Sequence, residues 1–165
     1  NKTEKLITKV SNIGDVETVL GADYTALVTE PHSIEAYQKF FQIVLDNEDG
    51  SVLFHCSAGK DRTGVAAILL LSALGVKEDT IKKDYILTND FIQSDVDKME
   101  RKISNAGGSE EIQNQAALSK GVAKSWGDSI FATIKSQYGS MNQYLKKEIG
   151  LSNKEKKKLR KMYLE

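Results

Sequence analysis

The stretch that most constrains this chain is "VLFHCSAGKDRTGVAAILLL", Val52 to Leu71. Behind a cluster of turn formers at 46–50, Val52, Leu53 and Phe54 make a short continuous apolar run, the pattern of a buried strand of parallel type. From Thr63 to Leu74 the chain is apolar on nearly every face and closes at Gly75, which predicts a central, buried helix. Between them lies a polar loop, His55 to Arg62. In a strand, tight loop and helix layout, ligands bind at the carboxyl end of the strand. The helix is expected to begin near Thr63 or Gly64. Its unpaired N–H groups and partial positive charge then point back into the loop, where an anion would sit.

Into that field the sequence places its only cysteine, Cys56, with Arg62 at the spacing Cys-x5-Arg. A thiol at a helix N-terminus beside cations is acidified, so Cys56 is expected to be largely thiolate at neutral pH. Five intervening residues let a loop curl once around a tetrahedral oxyanion with its amides turned inward. Arg62 then closes the circle with a planar fork for two phosphate oxygens. Gly59 suits a point where the loop takes positive φ or closely approaches the ligand. The superficially similar "AGKD" is not a nucleotide-binding loop, because Asp61 stands where that motif needs serine or threonine and no glycine lies five before Gly59.

A length of 165 residues suits one domain, 1–165, with a real core. Lysine plus arginine equals aspartate plus glutamate at 23 each, so no global field draws the chain to nucleic acid or to an anionic membrane. The longest apolar run, Val65 to Leu71, is far too short to span a bilayer. One cysteine excludes an internal disulfide, and with two histidines it does not readily assemble a structural zinc site, so no metal and no cofactor are expected. The sequence opens on Asn1 with no signal-peptide pattern, which leaves cytoplasmic and secreted locations both open.

Periodicity organises the remainder. Residues 1–30 read as loop and short helical pieces. Ser33 is expected to cap a helix carrying Ala36, Tyr37, Phe40, Phe41, Val44 and Leu45. Amphipathic helices follow near Glu78–Thr88, Asp90–Ser104, Glu110–Lys120 and Ser129–Tyr138. Two capping boxes, Ser140 with Gln143 and Ser152 with Glu155, start the last two. The basic run Lys154–Lys161 reads as a solvated face of a docked helix. His32 reads as a surface residue, and Trp126, Tyr138 and Tyr144 as core.

"HCSAGKDRTG" resembles the active-site loop of the cysteine-dependent phosphatase superfamily, and more closely the bacterial and fungal tyrosine/serine phosphatase family with its HC-x-x-GKDRTG variant. Tyr37, Phe40 and Phe41, "RTGVAAILLLSALGV" and "YGSMNQYLKKEIGLS" look like the same pattern, so that the likeness covers about residues 24–165. The resemblance implies an α/β fold of phosphotyrosine-phosphatase type, a parallel sheet flanked by helices and helix-dominated in this segment. It implies that Cys56 attacks phosphorus to form a phosphocysteine, that Arg62, Lys60 and the amides of Ser57, Ala58, Gly59, Lys60, Asp61 and Arg62 bind the phosphoryl oxygens, that His55 orients the loop, and that Thr63 donates to the sulfur. Members of that family are usually longer, with N-terminal strands that complete the sheet, and the chain is expected to be the C-terminal part of such a protein.

Many relatives in the superfamily protonate the leaving oxygen with an aspartate on a separate Trp-Pro-Asp loop, which is missing here. Asp61, inside the loop, is the expected general acid because its proximity is guaranteed. Asp23, 33 residues before Cys56, is the rival. The implied activity is hydrolysis of phosphotyrosine, with phosphoserine, phosphothreonine and phosphoinositides as further candidates. The partners are then phosphorylated proteins or phosphoinositides. The alternative is a phosphate-binding module that recognises phosphorylated partners without turnover. Sulfur transfer or arsenate reduction would need no arginine fork or would need resolving cysteines, and both rank low.

Overall fold

The computed structural model describes residues 1–164. Ten helices account for most of them: α1 (Lys2–Ile13), α2 (Val16–Thr29), α3 (Pro31–Asp46), α4 (Asp61–Leu74), α5 (Glu78–Ile86), α6 (Thr88–Asn105), α7 (Glu110–Lys120), α8 (Lys124–Tyr138), α9 (Met141–Lys147) and α10 (Asn153–Tyr163).

The expected parallel sheet is not there: no strand occurs among the described residues. Val52–Phe54 belongs to no helix and to no strand. A strand exists by its ladder of hydrogen bonds, and this segment is part of none among the described residues. Its exposure alternates with the period of two that extended backbone imposes. Val52 and Phe54 turn inward, the Phe54 ring lying 4.9 Å from that of Phe40, while Leu53 is 89% exposed. The apolar run is therefore half-buried, not the doubly covered strand its composition suggested.

The opening 30 residues are the other correction. They form two full helices, each started by a side chain that accepts the orphan amides: Asn1 with Glu4 in a capping box for α1, and Asp15 for α2. Val16, Tyr24 and Val28 are buried along one side of α2, at helical spacing. The start of α3 also differs from expectation. Pro31 occupies its first turn, where a missing N–H costs nothing, and Ser33 lies inside the helix. Likewise α8 begins at Lys124, and Asp128 falls inside it, ion-paired to Lys124 and Lys82.

The core gathers around α4, whose Val65, Ile68, Leu69 and Ala73 are buried among Phe41, Ile130, Leu145 and Leu159. A smaller cluster, Val10, Ile103 and Ala116, joins α1 to the α6–α7 pair. The capping box of Ser152 and Glu155 is complete, whereas Ser140 accepts only the Gln143 amide. On α10 the apolar stripe docks as expected, with Leu159 fully buried and the Tyr163 hydroxyl donating to the Val44 carbonyl at 2.8 Å. Lys156 departs from the solvated face: it is buried, its Nζ donating to Asn142 Oδ1. Trp126 and Tyr144 are core residues and Tyr138 is half-buried, its ring 4.9 Å from Tyr144.

Candidate active site

The polar loop ends two residues sooner than the sequence suggests, because α4 starts at Asp61. Lys60 is its N-cap residue without a side-chain cap, so the first amides of α4 remain available to whatever occupies the loop. Gly59 takes φ of +69°, in the left-handed region, with nothing near the position a Cβ would occupy. Glycine is needed there for backbone conformation, not for space.

Cys56 lies at the centre of this curl. Its partial burial opposes ionisation, yet the thiol is lowered from 9.0 to about 6 by donors converging on sulfur: the Thr63 hydroxyl, then the amides of Thr63, Ala58 and Gly59. The Thr63 hydroxyl is buried and closes no hydrogen bond within ordinary limits, the sulfur included, yet of the groups that lower the thiol it contributes most. Hydrogen bonds that favour the charged form thus outweigh desolvation, and the thiol is shifted toward thiolate at neutral pH.

Arg62 folds back across the loop. Its Nη2 donates to Ser57 Oγ at 3.2 Å, so the side chain spans the curl it was expected to close. The Tyr37 hydroxyl, from α3, holds the Arg62 carbonyl at 3.4 Å. The exposed His55 ring engages the Cys56 carbonyl through Nδ1 at 3.2 Å, fixing the backbone at the nucleophile.

Lys60 and Asp61 take a less expected arrangement. Lys60 is only 9% exposed, its Nζ 2.9 Å from Asp61 Oδ1 and 5.7 Å from the centre of the Trp126 ring system, so its ammonium is committed beneath the loop. The Tyr24 hydroxyl donates to the same Oδ1 at 2.5 Å. Asp23, the neighbour of Tyr24, is exposed but borders the same cavity as Asp61. This cavity of about 580 Å³ runs from Asp61 and Arg62 along an apolar wall of Leu20, Leu27 and Val10. The structure thus brings Cys56, Thr63, Ser57 and Arg62 together on the loop, and sets Lys60 and Asp61 against α2.

The family model for the "Tyrosine phosphatase family" matches residues 1–165. The chain belongs to the tyrosine phosphatase family. It is 35% identical over 131 residues to a tyrosine-protein phosphatase of Nostoc commune, covering 78% of this chain and 44% of that protein. It is also 35% identical over 109 residues to the triple specificity protein phosphatase PtpB of Mycobacterium tuberculosis, covering 61% of this chain and 39% of that one. The chain therefore spans less than half the length of these curated relatives.

Tyr24 and Tyr37 are the site residues that sequence reasoning missed. The signal for Tyr24 was present: Val16, Leu20, Tyr24 and Val28 recur every fourth residue, a helical stripe inside a segment that reads as loop. Among the described residues no helix is long and apolar enough to cross a membrane.

Proposed function

We propose that this chain hydrolyses phosphate monoesters, phosphotyrosine first among them, through a covalent phosphocysteine. The observation that carries the reading is the acidified Cys56 thiol, ringed by donors and spanned by the Arg62 side chain. The thiolate attacks phosphorus, the S–P bond forms, and the bond from phosphorus to the ester oxygen breaks. The departing oxygen takes a proton from Asp61, which serves as general acid in preference to Asp23 because it stands on the first turn of α4, directly after the loop. Water then attacks phosphorus, gives its proton to Asp61, and displaces the sulfur as thiolate. The Thr63 hydroxyl, which favours the charged form of the sulfur, assists that departure.

Arg62 and the loop amides of residues 57–62 bind the phosphoryl oxygens, and strengthen their hold as negative charge builds in the transition state. The Lys60 amide belongs to that set; its ammonium reaches substrate only by leaving Asp61. The cavity beside Asp61 receives the organic part of the ester, and its apolar wall suits an aromatic ring. Phosphoserine, phosphothreonine and phosphoinositide monoesters are the further candidates.

The test is Cys56→Ser. Turnover of p-nitrophenyl phosphate is expected to fall at least a thousandfold while binding of a phosphotyrosine peptide persists. Turnover at the wild-type rate in Cys56→Ser refutes the mechanism. A wild-type protein that binds the peptide but releases no phosphate makes the chain a recognition module instead.

A further inference from the structure

We propose that Tyr24 is a positioning residue for the acid step, a role that rests on Asp61 being the general acid. Both donors to Asp61, the Tyr24 hydroxyl at 2.5 Å and Lys60 Nζ at 2.9 Å, act on the same oxygen, Oδ1. Among the described residues Oδ2 has no hydrogen-bond partner, and Asp61 lines the cavity next to Arg62. A carboxyl group whose Oδ1 is occupied by two donors carries its proton on Oδ2, since a protonated Oδ1 would lose lone pairs those donors need. Tyr24 and Lys60 thereby select which oxygen hands its proton to the leaving group. They also fix the rotamer that aims it.

The phenol is built to hold that position. Tyr24 is 2% exposed and stacks on Trp126, with centroids 5.1 Å apart and planes 22° from parallel. Tyr85 meets it edge-on at 6.2 Å. Trp126 is itself tied to α2 by its Nε1–H, which donates to the Glu17 carbonyl at 2.8 Å. Tyr85 fits only because its neighbours are glycines: a Cβ at Gly64 would lie 3.1 Å, and one at Gly127 2.9 Å, from its ring. Helices α2, α4, α5 and α8 therefore converge to orient one hydroxyl. Burial, and then the bond to Asp61, push the Tyr24 phenol far above its ordinary value, so its own proton stays in place through both chemical steps. The proton that moves is that of Asp61: from Oδ2 to the leaving oxygen as the P–O bond breaks, and back to Oδ2 from the attacking water.

Tyr24→Phe keeps the ring, the stack and the edge contact, and removes only the donor. Two substrates separate the roles: phenyl phosphate, whose leaving group needs a proton, and p-nitrophenyl phosphate, whose leaving group scarcely does. Expected are a loss of about tenfold in kcat/KM for phenyl phosphate, a change under about twofold for p-nitrophenyl phosphate, and an unaltered inhibition constant for inorganic phosphate. In an Asp61→Asn background the same substitution is expected to have no further effect on phenyl phosphate, because Tyr24 acts only through Asp61. Equal losses on both substrates, no loss on either, or a loss that persists in Asp61→Asn each overturn the proposal. If Asp61→Asn by itself does not discriminate between the substrates, Asp61 is not the acid, and the underlying reading fails together with the role of Tyr24.

Discussion

Replacing Thr63 by valine tests what acidifies the Cys56 thiol. Valine preserves the branched shape of the side chain on α4 and deletes the hydroxyl that contributes most to lowering the thiol. A hydrogen bond to a charged group is worth about 1.5–3 kcal/mol, which corresponds to roughly one to two pH units. The thiol, at about 6 in the native protein, should therefore titrate about one to two units higher in Thr63→Val, with the amides of Thr63, Ala58 and Gly59 still holding it below 9.0. At pH 7 the thiolate fraction drops from about nine-tenths to between roughly a half and a tenth.

Two measurements read this directly. The rate of alkylation by iodoacetate, followed against pH, gives the thiol midpoint. The acidic limb of kcat/KM on p-nitrophenyl phosphate reports the same group in the free protein. The loss in Thr63→Val should be about five- to fiftyfold at pH 6 and under about twofold at pH 8.5, because the defect is one of ionisation and alkali restores the thiolate. A midpoint that stays near 6 in Thr63→Val, or a loss that does not shrink as pH rises, refutes the assignment of the hydroxyl as the principal donor.

Two more predictions concern the same loop. Arg62→Lys retains the charge but not the fork that reaches Ser57; it should lower kcat/KM by about 10²–10³-fold and weaken inhibition by inorganic phosphate by at least about tenfold, and unchanged inhibition would mean that Arg62 is not the anion clamp. Because the folded thiol lies below its ordinary value, its stabilising contribution is complete above 9.0 and is lost as pH falls through about 6. The melting temperature of the wild type relative to Cys56→Ser should accordingly rise between pH 6 and 9 and level off outside that window, a difference that scanning calorimetry resolves.

How much of this was legible beforehand depends on how local each feature is. The Cys56 environment follows from ten consecutive residues: a loop that ends on a helix must point amides backwards, Gly59 permits the bend, and Thr63 lies close to Cys56 in sequence. The greasy helix α4 and the docked α10 follow from periodicity, since a face with no polar residues has to be covered. The Val52–Phe54 segment was misread because an apolar triplet specifies extended backbone but not a partner for it. Pairing is a property of two segments, and no second one lies alongside among the described residues. The helices of residues 1–30 were missed because Gly14 and Gly21 dilute their pattern, although the caps at Asn1 and Asp15 were readable.

The sequence by itself therefore determined the loop that carries Cys56 and Arg62 and the acidified thiol within it, all set by neighbours within eight residues of Cys56. Only the tertiary structure decided what Asp61 and Lys60 do. Tyr24 lies 37 residues away, and Trp126 farther still on α8. Their meeting under the loop depends on how α2, α4 and α8 pack, information that no local pattern carries. A charged triplet in sequence, Lys60, Asp61 and Arg62, is split by that packing into a pair in which a buried ammonium holds a half-buried carboxylate in place, and an exposed guanidinium that reaches back across the loop to Ser57.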